Sequence, residues 1–140
     1  MNAAERRTAA LQWFRHATED LSASETLLSQ EFCAPRHVCW LAQQAAEKSL
    51  KAILVFLQID FPKTHDLDAL RNLIPWGWRV KTEYDDLAEL SEWAVQARYP
   101  GDWAEASESD AGAALEQARA LVAMVRDELA DRGVSFQPEQ

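Results

Sequence analysis

A chain of 140 residues is long enough for one domain that buries about two thirds of its unfolded surface. With 23 acidic side chains against 14 basic ones, a formal net charge of -9, it excludes nucleic-acid binding through the surface as a whole, but not through a local basic pocket. Only Cys33 and Cys39 are available as thiols, with no second Cys or His pair at metal-site spacing, so no zinc site is expected and a reducing compartment is. The first residues lack the apolar core of a signal peptide, and the longest apolar run, residues 52–57, is too short for a bilayer, so no membrane association and a cytoplasmic location are expected.

Residues 4–30 carry Leu11, Phe14, Ala17, Leu21, Ser24 and Leu28 at helical spacing, uninterrupted by proline or glycine. Pro35 suits the first turn of a second helix, where its missing N–H is not needed, so the first two helices form an antiparallel hairpin. On a helical wheel of residues 37–58, the apolar positions from Val38 through Leu41, Ala45, Leu50 and Ile53 to Leu57 fill about half the circumference. A face this wide predicts a central helix touching several neighbours. Its opposite face carries Gln43, Gln44, Glu47 and Lys51, with Lys48 at the border and Glu47 four residues ahead of Lys51. Trp40 also falls on that polar side, where a large aromatic asks for a partner.

Pro62 ends this element, and Thr64 or Asp66 can cap a short helix that reaches about residue 74 before Pro75. Residues 75–81, with Trp76, Gly77 and Trp78, read as an ordered loop. A further helix is expected after Thr82, capped by its hydroxyl with Asp85 at the third position, and with Tyr84, Leu87, Ala88, Leu90, Ala94 and Val95 facing inward. Arg98 falls within that apolar arc, and Pro100 and Gly101 end the helix. The last helix starts near Ser107 or Ser109, has Asp110 in its first turn, and runs on Ala111, Leu115, Leu121, Val125 and Leu129 to about residue 131. The expected fold is all-α: an up-and-down bundle of four long helices and one short one, a single domain over residues 1–132 with a tail over 133–140.

Three stretches, taken in order, resemble a known family: QQAAEKSLKAIL at residues 43–54, THDL at 64–67, and ARYPG at 97–101 ahead of a last amphipathic helix. Together they resemble the prokaryotic HEPN domain of the nucleotidyltransferase-associated type. The resemblance implies a helical bundle, a homodimer, and a small nucleotidyltransferase as partner in a two-protein, toxin-antitoxin-like module. The six tryptophans and the broad central face also favour a homodimer. The family's ribonuclease branch carries an Arg and then a His with four to six residues between them. Here the residues at that spacing from Arg98 are Trp103, Ala104 and Glu105, and no histidine follows His65, which removes the obvious group for proton transfer at a ribose 2′-OH. No Gly-rich phosphate loop or other cofactor motif is present.

The candidate ligand-binding residues are Gln44, Glu47, Lys48, Lys51, His65, Arg98 and Tyr99. Each has a plainer alternative. Lys48 and Lys51 can be solvated helix surface, and Gln44 and Glu47 can form a polar seam between two copies. His65 can make a structural hydrogen bond, Arg98 can satisfy helix-end carbonyls or a buried carboxylate, and Tyr99 can shape the turn. The function expected is a nucleotide- or RNA-binding interaction module. The alternative is a metal-independent endoribonuclease built on Arg98, Glu47 and His65.

Overall fold

The computed structural model describes residues 1–97, 99–101 and 103–136, so Arg98 falls outside the described residues. Three long helices form the frame: α1 (Ala3–Leu28), α2 (Pro35–Phe56) and α6 (Glu108–Asp131). The side chain of Asn2 accepts the Glu5 N–H to cap α1, Pro35 opens α2, and Ser107 with Asp110 forms a capping box for α6. α1 and α2 form the expected antiparallel hairpin. Buried Ala10, Phe14 and Ala17 let them approach closely, and the Ser24 hydroxyl donates to the Val38 carbonyl at 2.9 Å. Leu28 lies past this interface and is exposed.

α2 is central, packing against α1, α6 and two of the shorter helices that lie between α2 and α6 in the chain. Its wide apolar face is largely buried as the wheel requires, Ser49 included, but burial also extends to Gln43 and Glu47 on the polar side. That side is therefore largely enclosed, because the segment after α2 folds back across it. The turn ending α2 is tight, with Gln58 at φ 57° and Ile59 N–H donating to the Leu54 carbonyl at 2.9 Å.

Between α2 and α6 the structure departs from the sequence expectation. α3 (Leu67–Leu73) starts where expected, with the Asp66 carboxylate accepting from the N–H groups of Asp68 and Ala69. In place of a loop at 75–81 and one helix after Thr82, there are a short α4 (Arg79–Glu83) and a nine-residue α5 (Ala88–Gln96). Thr82 does not cap: its hydroxyl donates to the Arg79 carbonyl inside α4. The carboxylate of Glu128, arriving from α6, accepts the N–H groups of Arg79 and Val80 and so starts α4 earlier. The chain then leaves helical geometry at Tyr84, whose carbonyl accepts from buried Arg71, while Asp68 accepts the Leu87 N–H and Asp86 the Ala88 N–H. This new start shifts the helical phase. Leu87, Leu90, Ala94 and Ala97 face the core, whereas Ala88 and Val95 face solvent.

After α6, Gly133 turns the chain at φ 99°, Val134 is buried, and Phe136 packs edge-on against Phe14 at 4.9 Å. All regular structure among the described residues is helical, and no helix there is long and apolar enough to cross a membrane.

Candidate functional site

Gln43, Glu47 and Lys51 are spaced four apart, so α2 presents them in one row. The segment between α2 and α3 lays His65 against that row. His65 Nδ1 lies 2.7 Å from Glu47 Oε1, and Lys51 Nζ lies 3.0 Å from Glu47 Oε2. Gln43 Nε2 donates both to Glu47 Oε1 at 3.2 Å and to the His65 carbonyl at 3.1 Å, so it fixes the carboxylate and the loop together. Gln44 Nε2 in turn donates to Gln43 Oε1 at 2.7 Å, which orients that amide.

Aromatic rings surround this polar row. The Lys51 ammonium lies 5.7 Å from the Trp13 ring centre and 5.4 Å from that of Phe61, and the two rings meet edge to face at 6.2 Å. Trp40 stands edge-on to the His65 imidazole at 6.4 Å. The partner that Trp40 asked for on the polar face is thus supplied, at least in part, from within the chain. Lys48 points to the neighbouring helix and pairs with Asp20 of α1 at 2.6 Å.

Burial alone would push the Glu47 carboxyl up. Hydrogen bonds from His65, Lys51 and Gln43 and the charge of Lys51 outweigh it together and hold the group below the usual value of 4.5. With the carboxylate ionised, His65 Nδ1 must donate to it. The half-exposed ring, whose side chain is 50% accessible against 4% for Glu47, then interacts with its surroundings through Nε2. A fixed Nε2 can bond a base edge or a hydroxyl, or take and return a proton.

The expected site residues do not all come together. Gln44, Glu47, Lys51 and His65 form one cluster, and Lys48 belongs to a flanking ion pair. Tyr99 lies elsewhere, lining a depression of about 410 Å³ between the start of α2 at Ala34, Pro35 and Arg36 and the end of α5 at Gln96 and Ala97. Pro35 and Glu47 are twelve residues apart on α2, about 18 Å at the helical rise. The cluster also depends on Gln43, Trp13 and Phe61, which the sequence did not single out as site residues. Gln43 carries a signal, standing one helical turn before Glu47. Trp13 and Phe61 carry none, because their meeting depends on the hairpin and on the fold-back of the loop.

The HEPN domain model matches this chain over residues 10–128. Among solved structures, the crystal structure of ST0689, an archaeal HEPN homologue, is similar with a TM-score of 0.64, covering 86% of this chain and 97% of that one at 21% identity. That likeness shows the shared fold. No curated protein matches the chain.

Proposed function

The chain belongs to the HEPN domain family, and on that premise we propose that it is a binding and interaction module for a nucleotide or a short RNA segment, working as the partner of a small nucleotidyltransferase in a toxin-antitoxin-like pair. The supporting observation is the Glu47-oriented imidazole of His65, set beside Trp40 and the Lys51 cation. Such a group recognises a hydrogen-bonding edge, with an aromatic ring beside it and a positive charge close by. A homodimer in the cytoplasm is the form in which we expect it to act.

The test is purification of the tagged protein from its native cells, with the eluate analysed for nucleotides, RNA and a stoichiometric second protein. Nucleotide or RNA should accompany the native chain together with a nucleotidyltransferase, and His65→Ala should lose the ligand while keeping its helical circular dichroism. A native chain recovered free of both ligand and partner refutes the proposal.

A second reading, metal-independent RNA cleavage, draws on the same Glu47–His65 pair, since a carboxylate-oriented imidazole is suited to proton transfer. The absence of a histidine after a gap of four to six residues beyond Arg98 weighs against it. Cleavage of RNA in the presence of chelator that vanishes in His65→Ala supports this reading, and inertness toward varied RNAs removes it.

A further inference from the structure

The Glu47 cluster and its flank hold two lysines, yet neither has charge to spare for a ligand. Lys51 Nζ bonds Glu47 Oε2 at 3.0 Å, stands against the Trp13 and Phe61 rings, and keeps only 13% of its side chain accessible. Lys48 is taken by Asp20 at 2.6 Å. The loop that lays His65 on α2 adds one exposed cation, Lys63, between Asp60 and Asp66. In the cluster, its flanking pair and this loop, three lysines stand against four carboxylates. An approaching anion therefore meets no surplus of positive charge.

The imidazole is more selective than the charge balance. Glu47 Oε1 lies 2.7 Å from His65 Nδ1, and the fully buried Gln43 donates both to that oxygen and to the His65 carbonyl. Gln44 donates to Gln43 Oε1, so the Gln43 amide is held with its Nε2 toward the carboxylate and cannot reverse its donor and acceptor. Lys51 supplies the positive charge that Glu47 requires, and the imidazole joins as a neutral donor. In that neutral ring the proton sits on Nδ1, and Nε2 carries a lone pair and no hydrogen. Nε2 has no partner among the described residues, and it is the nitrogen that the half-exposed side chain offers to a ligand.

We propose that His65 Nε2 selects its ligand as a hydrogen-bond acceptor: the site takes a neutral group that donates, a nucleobase N–H or a ribose hydroxyl, and leaves phosphate in solvent. The inference rests on the reading of this cluster as a nucleotide- or RNA-binding site and gives that site its specificity. A ligand edge that offers only acceptors would set its lone pairs against that of a nitrogen already aimed by Glu47, and both would go unpaired. A phosphate oxygen is rejected on the same ground, with no spare cation to offset the loss. Trp40, edge-on to the imidazole at 6.4 Å, gives a base or sugar an apolar neighbour, which a phosphate cannot use.

The test is calorimetric titration of the native chain at about pH 8, above the titration of a free imidazole, with the four ribonucleosides and their 5′-monophosphates. Each nucleoside should bind within about threefold of its monophosphate, and excess inorganic pyrophosphate should not compete. The tightest nucleoside is then compared with an analogue whose base donors are removed or methylated, and with its 2′,3′-dideoxy form. At least one of the two should bind about three- to tenfold more weakly, the size of one hydrogen bond, which assigns the donor to the base or to the ribose. Any residual binding by His65→Ala should show no such preference. Nitrogen NMR of the imidazole should find His65 protonated on Nδ1 and bare on Nε2, with the Nε2 signal moving as ligand is added. Binding of monophosphates or of a short mixed-sequence RNA but not of nucleosides, displacement by pyrophosphate, or equal affinity for the nucleoside and both analogues overturns this inference and leaves the binding reading standing. A preference that survives in His65→Ala, or a hydrogen on Nε2, also overturns it. If nucleosides, monophosphates and the short RNA all fail to bind, both fall.

Discussion

Replacing Glu47 by glutamine keeps the volume of the side chain and removes its charge. The carboxylate accepts from three donors, Gln43 Nε2, His65 Nδ1 and Lys51 Nζ. A glutamine has one acceptor oxygen, so its NH₂ must confront either the Lys51 ammonium or the His65–Gln43 side. Breaking a fully buried pair costs about 3–5 kcal/mol. The cost here is smaller, because the His65 side chain is 50% accessible and the Lys51 side chain 13%, and both regain some water. About 2 kcal/mol is expected at neutral pH, the size of one lost charge-assisted hydrogen bond. For a chain of 140 residues that lowers Tm by about 6–8 °C. The sign of the pH dependence follows from the carboxyl being held below its usual 4.5. Its stabilisation is fully present above that value and is lost as the pH falls through the depressed folded value. The gap between native and Glu47→Gln proteins in thermal melts should therefore close on acidification. A gap under about 0.5 kcal/mol at neutral pH, or one that persists unchanged into strong acid, refutes the assigned role.

Two further predictions concern the frame of the site. Gln58 occupies the left-handed position that ends α2 at φ 57°, where α6 uses Gly133 at φ 99° in the same hydrogen-bonded turn. Gln58→Gly should stabilise the protein by about 0.5–1 kcal/mol in urea melts, and any destabilisation contradicts that reading of the turn. Burial, aided by the charge of Asp110 and partly offset by a backbone hydrogen bond, pushes the Cys39 thiol from 9.0 up to about 12. Iodoacetamide under native, mildly alkaline conditions should thus modify half-buried Cys33 and spare Cys39, with both reacting in denaturant; equal native rates would disprove this.

What the sequence reveals about this molecule follows the range over which each interaction acts. α1, α2 and α6 were legible because caps, proline placement and apolar spacing are local, and each has more than twenty residues over which to average. The region from Pro75 to Gln96 was not, because its boundaries depend on Glu128, which is 48 residues from Val80, and on Asp68, which is 19 residues from Leu87. Thr82 and Asp85 offer a sound local cap. It is overridden because a buried carboxylate satisfying two backbone donors outweighs one exposed hydroxyl.

The candidate site divides along the same line. The row of Gln43, Glu47 and Lys51 is a helical periodicity and can be read directly. Its enclosure is not readable, because the amphipathic pattern places these residues on a polar face, and only the loop from Leu57 to Asp66 turns that face into a buried network. The consequence for chemistry is specific. A solvated Glu47 with an i,i+4 lysine is worth a few tenths of a kcal/mol and directs nothing. An enclosed Glu47 holding His65 by Nδ1 leaves Nε2 as the imidazole nitrogen free to meet a ligand. His65 is the histidine held by Glu47, so imidazole chemistry at this cluster passes through that atom, which is why His65→Ala, and not a change at Lys51 or Glu47, separates recognition from stability.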